Sequence, residues 1–158
     1  MNKQYLTIMQ ESLRKKINIL EEIVRISKIQ AEVLVKEPVD YEAFDRCVDD
    51  KDVCIEQLEL LDRGFEALYQ KVGQELKEYP GEYKEWIRQT QALIEQVTEK
   101  SVEIQAMEAR NKQAIEDALR KNRQGFRQGK RSAEVARNYY KNMNLSNVVQ
   151  SQYMDKKK

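Results

Sequence analysis

Apolar residues recur along this chain at alternating intervals of three and four, the spacing that gathers them on one face of an α-helix. The clearest run is Phe44, Val48, Lys51, Ile55, Leu58, Leu61, Phe65, Leu68 and Val72, which predicts a helix over about 41–73. At roughly 1.5 Å per residue that helix would be about 48 Å long. An earlier run places Leu6, Leu13 and Leu20 seven apart, with Met9, Ile17, Ile23, Val24, Ala31 and Leu34 on the same side, and predicts a first helix over about 2–36. A third stripe, Tyr83, Ile87, Thr90, Ile94, Val97, Ser101, Ile104, Met107, Asn111, Ile115 and Ala118, predicts a helix from about 82 to 125. Whether it runs through Gly125 and Gly129 to 141 is left open. An exposed apolar stripe on a helix is stable only against another helix. The expected fold is therefore all-α: an elongated antiparallel bundle of three long helices with coiled-coil-like packing and a C-terminal tail.

The breaks follow local backbone chemistry. Pro38 disfavours helical geometry at Glu37, and Asp40 suits the N-cap of the second helix. A corner this short makes the first two helices antiparallel neighbours. Gly73 is suited to closing the second helix, and Tyr79-Pro80-Gly81 reads as a turn. The third stripe is longer and more polar than the others, so its C-terminal end is expected to overhang its partners.

Composition agrees with long helices: 41% hydrophobic and 35% charged residues, with five Gly and two Pro in 158 residues. No apolar run approaches the roughly 18 residues of a membrane span, and the first ten residues carry no signal-peptide core. The expectation is a cytoplasmic protein with no membrane insertion, in one helical unit (1–141) followed by an arm (142–158).

Several chemistries are disfavoured. Histidine is absent, and Cys47 and Cys54 stand two turns apart, roughly 10 Å along a helix and too far for a bridge within it. They read as two small buried thiols, or less readily as thiols that react between chains. Without His or a close Cys pair there is no expected metal site, and the commonest general base is missing. Asp49, Asp50 and Asp52 fail as a calcium loop, because Lys51 interrupts them and the needed glycine is lacking. No phosphate-binding loop or nucleophile elbow is present. The expectation is no catalytic residue, no cofactor and no small-molecule substrate.

Polar residues within the stripes admit two readings. Lys51 either snorkels out of a thin bundle, with Thr90, Ser101 and Asn111 marking edges or fixing register, or these positions line a groove left open for a partner helix. Trp86 reads either as an anchor beside the turn or as a ligand contact.

Charge is unevenly placed. Residues 120–158 hold eleven Lys or Arg against two acidic residues, a balance of +9, so the first 119 carry 17 basic and 25 acidic residues, or −8. An acidic bundle with a basic tail suggests an interaction surface. Arg123-Gln124-Gly125 and Arg127-Gln128-Gly129 with Phe126 form a short echo that could serve nucleic acid, but the basic residues are sparse and no nucleic-acid module is visible. From Asn142 to Met154 no residue is charged, although Met143, Leu145, Val148, Val149, Tyr153 and Met154 fall there, and helical periodicity is weak. Such a segment can fold back on the third helix or dock on a partner, and both destinations stay open.

Three features together carry a family resemblance. Asp40-Tyr41-Glu42-Ala43-Phe44 leads through Lys51 and Ile55 to Leu58 and Leu61. Gln128-Gly129-Lys130-Arg131-Ser132-Ala133 leads to Tyr139-Tyr140, and the chain ends Gln152-Tyr153-Met154-Asp155-Lys156-Lys157-Lys158. In this order they resemble the FlgN family of flagellar type III export chaperones. The resemblance implies a cytoplasmic chaperone that binds terminal helical segments of flagellar hook-associated proteins and delivers them to the export apparatus. It places partner binding on Tyr139, Tyr140, Met143, Leu145, Val148, Val149, Tyr153 and Met154, and a homodimer is compatible with it. The alternative is a self-associating coiled-coil structural or adaptor protein, which would not need an uncharged arm.

Overall fold

A computed structural model describes the backbone of residues 3–121 and 127–156, and the side chains of 3–121 and 129–143. Within these residues the chain forms four α-helices: α1 (Lys3–Val35), α2 (Tyr41–Glu78), α3 (Lys84–Lys121) and α4 (Arg127–Lys156). The expectation of three helices and a tail is thus corrected. Much of the segment expected to be an arm is helical, since α4 continues without a break to Lys156. At its start the buried face of α4 is Gly129, Ser132 and Ala136, so these turns carry little apolar stripe in the sequence. The expected continuation of the third helix falls partly on Gly125, which lies outside the described residues; Gly129 belongs to α4.

The first corner follows its sequence. Asp40 caps α2, its carboxylate accepting from the Ala43 N–H at 3.1 Å, with Glu42 in the first turn and Lys77 in the last, as the helix dipole favours. At the other end α2 passes through Gly73 to Glu78. Gly73 serves packing and not termination: a Cβ there would meet the Tyr69 ring at 3.2 Å. The Tyr79 N–H then bonds the Glu75 carbonyl, and the Glu82 N–H bonds the Tyr79 carbonyl, closing the turn around Pro80 and Gly81.

Helix α1 packs on α2 and α3, and α4 packs on the same two helices. Chain direction is read from paired residues. Lys16 meets Asp62 while Gln30 meets Lys51, so α1 and α2 run oppositely; Gln10 meets Thr90 while Ser27 meets Glu108, so α1 and α3 run together. Asp45 meets Ser132 and Lys51 meets Tyr139, so α4 follows α2. The C-terminal part of α3 does not overhang: Leu119 lies beside Gly129, and Ile115 and Leu119 face Tyr140 across a cleft.

The core is one continuous cluster that includes Met9, Ile23, Phe44, Val48, Val72, Ile104 and Ile115. Every seventh residue of α3 from Thr90 through Val97 and Ile104 to Asn111 is buried, a coiled-coil seam with polar residues at both ends. Cys47 and Cys54 are free, buried thiols. Burial, the first cause, pushes both above the ordinary thiol range. Trp86 is an anchor: its indole N–H donates to the Leu6 carbonyl at 3.0 Å and ties the start of α3 to the start of α1.

Core position and surface position should separate cleanly. Ile104→Ala, at a site 1% exposed, is expected to lose about 2–5 kcal/mol in urea unfolding. Leu60→Ala, at an exposed site, should stay within about 0.5 kcal/mol of wild type. Equal losses would mean that α3 does not pack as described.

Candidate partner-binding site

The residues expected to bind a partner all lie on α4, so its docking decides what they can do. Gly129, Ser132, Ala136, Tyr139, Tyr140 and Met143 are buried, at steps of three, four, three, one and three, while Lys130, Arg131, Glu134, Arg137, Asn138, Lys141 and Asn142 are exposed. Small residues at the start of the stripe allow α4 to approach closely, and aromatic residues fill the space farther on. Ser132 Oγ donates to Asp45 at 2.8 Å, a buried bond to α2.

Tyr139 is 1% exposed and reaches the centre of the bundle, where Lys51 Nζ stands 4.6 Å from its ring centroid. Its hydroxyl donates to Met143 Sδ at 3.9 Å, and its ring meets that of Tyr140 edge-on at 5.1 Å. Lys51 does not snorkel. It is 0% exposed, because α4 covers the side of α2 that three helices would have left open. Its ammonium donates to Glu108 Oε1 and Gln30 Oε1, both at 2.6 Å, with Ser27 Oγ at 3.5 Å. Ser27 donates to the same Glu108 oxygen at 2.9 Å, and Asn111 donates to the Ser27 carbonyl at 3.0 Å and to Gln30 Oε1 at 3.1 Å. Residues of all four helices therefore meet at one level.

Burial lowers the Lys51 pKa, opposed by the charge and hydrogen bond of Glu108. Burial, and after it the Glu108 carboxylate, push Tyr139 and Tyr140 far above the ordinary phenol range. Three buried polar atoms have no hydrogen-bond partner among the described residues: Gln30 Nε2, Glu108 Oε2 and Tyr140 Oη. The network is structural in character. Among the described residues no group of His, Cys, Asp or Glu is placed to hold a metal ion, and no helix is long and apolar enough to cross a membrane.

Of the residues expected to bind a partner, Tyr139, Tyr140 and Met143 come together and are covered by the bundle. Of the segment 142–154, for which both destinations were open, the described side chains are Asn142, which is exposed, and Met143, which is buried in the bundle. Leu145, Val148, Val149, Tyr153 and Met154 lie on the helical backbone of α4, with side chains outside the described residues. Sequence reasoning missed Ser132, Ala136 and the Lys51–Glu108 pair. The stripe of 129, 132, 136, 139 and 143 was available as a signal, though its small and polar members do not register as hydrophobic.

A family model described as FlgN protein matches residues 1–147, which takes in α1 to α3 and α4 as far as Asn147. Neither a curated protein nor a solved structure matches the chain.

Two sets of variants test the network. Lys51→Met alone should lose about 3–5 kcal/mol, since it leaves Glu108 buried without its counter-charge, whereas Lys51→Met with Glu108→Leu should lose less than either single change. Strictly additive losses in urea unfolding would refute the coupling. Buried phenols also set a pH dependence. Above pH 10 the unfolded tyrosines release protons that folded Tyr139 and Tyr140 keep, so each takes away about 1.4 kcal/mol per pH unit. Lys51 acts in the opposite direction, because its folded pKa lies below its unfolded one and its contribution rises with pH up to about 10.5. Tyr140→Phe should therefore make the alkaline fall between pH 10 and 11 shallower, approaching one proton at the upper end, while leaving the Lys51 contribution in place. An unchanged slope would mean that Tyr140 is not held protonated.

Proposed function

The chain belongs to the FlgN family of flagellar export chaperones, and from that premise we propose that it binds terminal helical segments of hook-associated proteins in the cytoplasm and delivers them to the type III export apparatus. The observation that carries this reading is α4. It is 30 residues long, anchored through Ser132, Ala136, Tyr139, Tyr140 and Met143, and it continues as helix through the uncharged stretch to Lys156.

A disordered terminal segment that becomes helical on binding needs its apolar face covered. Leu145, Val148, Val149, Tyr153 and Met154 supply apolar groups on a preformed helix for that purpose. Met adapts to irregular surfaces, and Tyr offers large contact area with few rotatable bonds. Tyr139, Tyr140 and Met143 then form the base of the site, holding α4 on α2 and α3. Such binding requires neither nucleotide nor metal, and affinity comes from apolar area.

The test is affinity capture from the native cell extract with the full chain and with a form ending at Met143, which keeps the buried base. Full-length protein should retain hook-associated proteins. The shortened form should lose at least tenfold in affinity while its circular dichroism and melting temperature stay close to those of wild type. Equal retention by both forms would remove the site from the end of α4. Recovery of the chain alone, without hook-associated proteins, would favour the self-associating coiled coil.

A further inference from the structure

Where α4 crosses the end of α3 the two helices leave a cleft of about 530 Å³. Its apolar lining is Ile115 and Leu119 from α3 with Ala133 and Ala136 from α4. Two alanines one turn apart make the surface of α4 concave, so side chains from outside can enter. The volume falls within the usual range of ligand sites, roughly 300–1,000 Å³, and suits a few aliphatic side chains better than an entire helix.

The rim is mostly basic. Lys112 on α3 and Arg137 and Lys141 on α4 line it, against one carboxylate, Glu116. All three cations are exposed, and none makes an ion pair with another described residue. Arg137 and Lys141 are four residues apart on one helix face, where like charges repel. This concentration of positive charge lies beside a chain whose first 119 residues sum to −8. Tyr140 also lines the cleft, and its buried hydroxyl has no acceptor among the described residues.

We propose that this cleft receives an acidic amphipathic helix of the cargo, with one or two aliphatic side chains seated between Leu119 and Ala133 and flanking carboxylates held by Lys112, Arg137 and Lys141. The inference rests on the reading of the chain as a cargo-binding chaperone, and it assigns to the cargo a sign of charge and a point of entry. A carboxylate placed at the cleft relieves the Arg137–Lys141 repulsion. Aliphatic groups fill the apolar space, and charge complementarity sets the orientation and speeds encounter.

Three forms of the full chain test this: wild type, the charge reversal Lys112→Glu/Arg137→Glu/Lys141→Glu, and the cleft-filling Ala133→Trp. Two probes are used, a purified hook-associated protein and a pair of synthetic leucine-bearing helices whose flanking positions are all Glu or all Lys. Wild type should bind the hook-associated protein at least tenfold more tightly than either variant, with all three forms melting alike. Methyl resonances of Leu119, Ala133 and Ala136 should shift with the Glu helix and not with the Lys helix, and the charge reversal should exchange that preference. Variants that bind the hook-associated protein as wild type does would overturn the cleft while leaving the chaperone reading intact. If wild type binds no hook-associated protein, the chaperone reading fails, and the synthetic helices alone decide whether the cleft selects acidic helices. Conversion of a dimer to a monomer by the charge reversal, with cargo affinity unchanged, would show that a second copy of the chain occupies the cleft and would overturn the proposal.

Discussion

A charged pair sealed from water must be matched on all sides, and in this chain the Lys51–Glu108 contact imposes that condition on four helices at once. Heptad stripes alone do not fix how helices slide past one another, because a shift of seven residues superposes one apolar layer on the next. A buried ammonium is less permissive. Moving α2 by one turn, about 5.4 Å, would carry Lys51 away from Glu108 and Gln30 and leave ions in an apolar seam, with a desolvation penalty of several kcal/mol each. The pair thus adds less to net stability than to register. Lys16 and Asp62, 2.6 Å apart, repeat the device farther along α1 and α2, while Gln10 with Thr90 and Trp86 with Leu6 do so between α1 and α3 with neutral groups.

This constraint also explains why α4 docks where it does. Three helices around Lys51 would leave one side of its ammonium to water, and α4 brings the Tyr139 ring to that side. A cation 4.6 Å from an aromatic centroid keeps part of the electrostatic stabilisation that water would otherwise supply. Docking of α4 therefore combines apolar burial with desolvation of an ion pair. Its net gain is smaller than that of an apolar seam of equal area, as unpartnered Glu108 Oε2 and Tyr140 Oη indicate.

What could be read in advance depended on whether the signal lay within one helix. The stripes of α1, α2 and α3, the Asp40 cap and the break at Pro80 are local, and the sequence shows them directly. Lys51 was visible as an intrusion in a stripe, yet its meaning required Glu108, 57 residues away, and Tyr139, 88 away. Gly73 misled because a glycine near the end of a stripe reads as a stop, while the need it meets is space for the Tyr69 ring. Helix α4 was hidden for a different reason. Its docking face is Gly, Ser and Ala before it becomes Tyr and Met, so close approach of backbones takes the place of large apolar side chains. Tyr139, Tyr140 and Met143 were read as partner-binding residues, and in this structure their side chains are buried in their own bundle.

The same helix separates two kinds of work by face. Its inward residues are neutral, and its outward residues between 130 and 141 include Lys130, Arg131, Arg137 and Lys141. A cation near the four-helix junction would have added a second positive charge beside Lys51, so the basic residues of α4 are confined to the outside by the charge already buried. Position is set by the buried face, where one lysine and one glutamate leave little latitude. The cations of the exposed face keep their hydration and can exchange partners at small energetic cost.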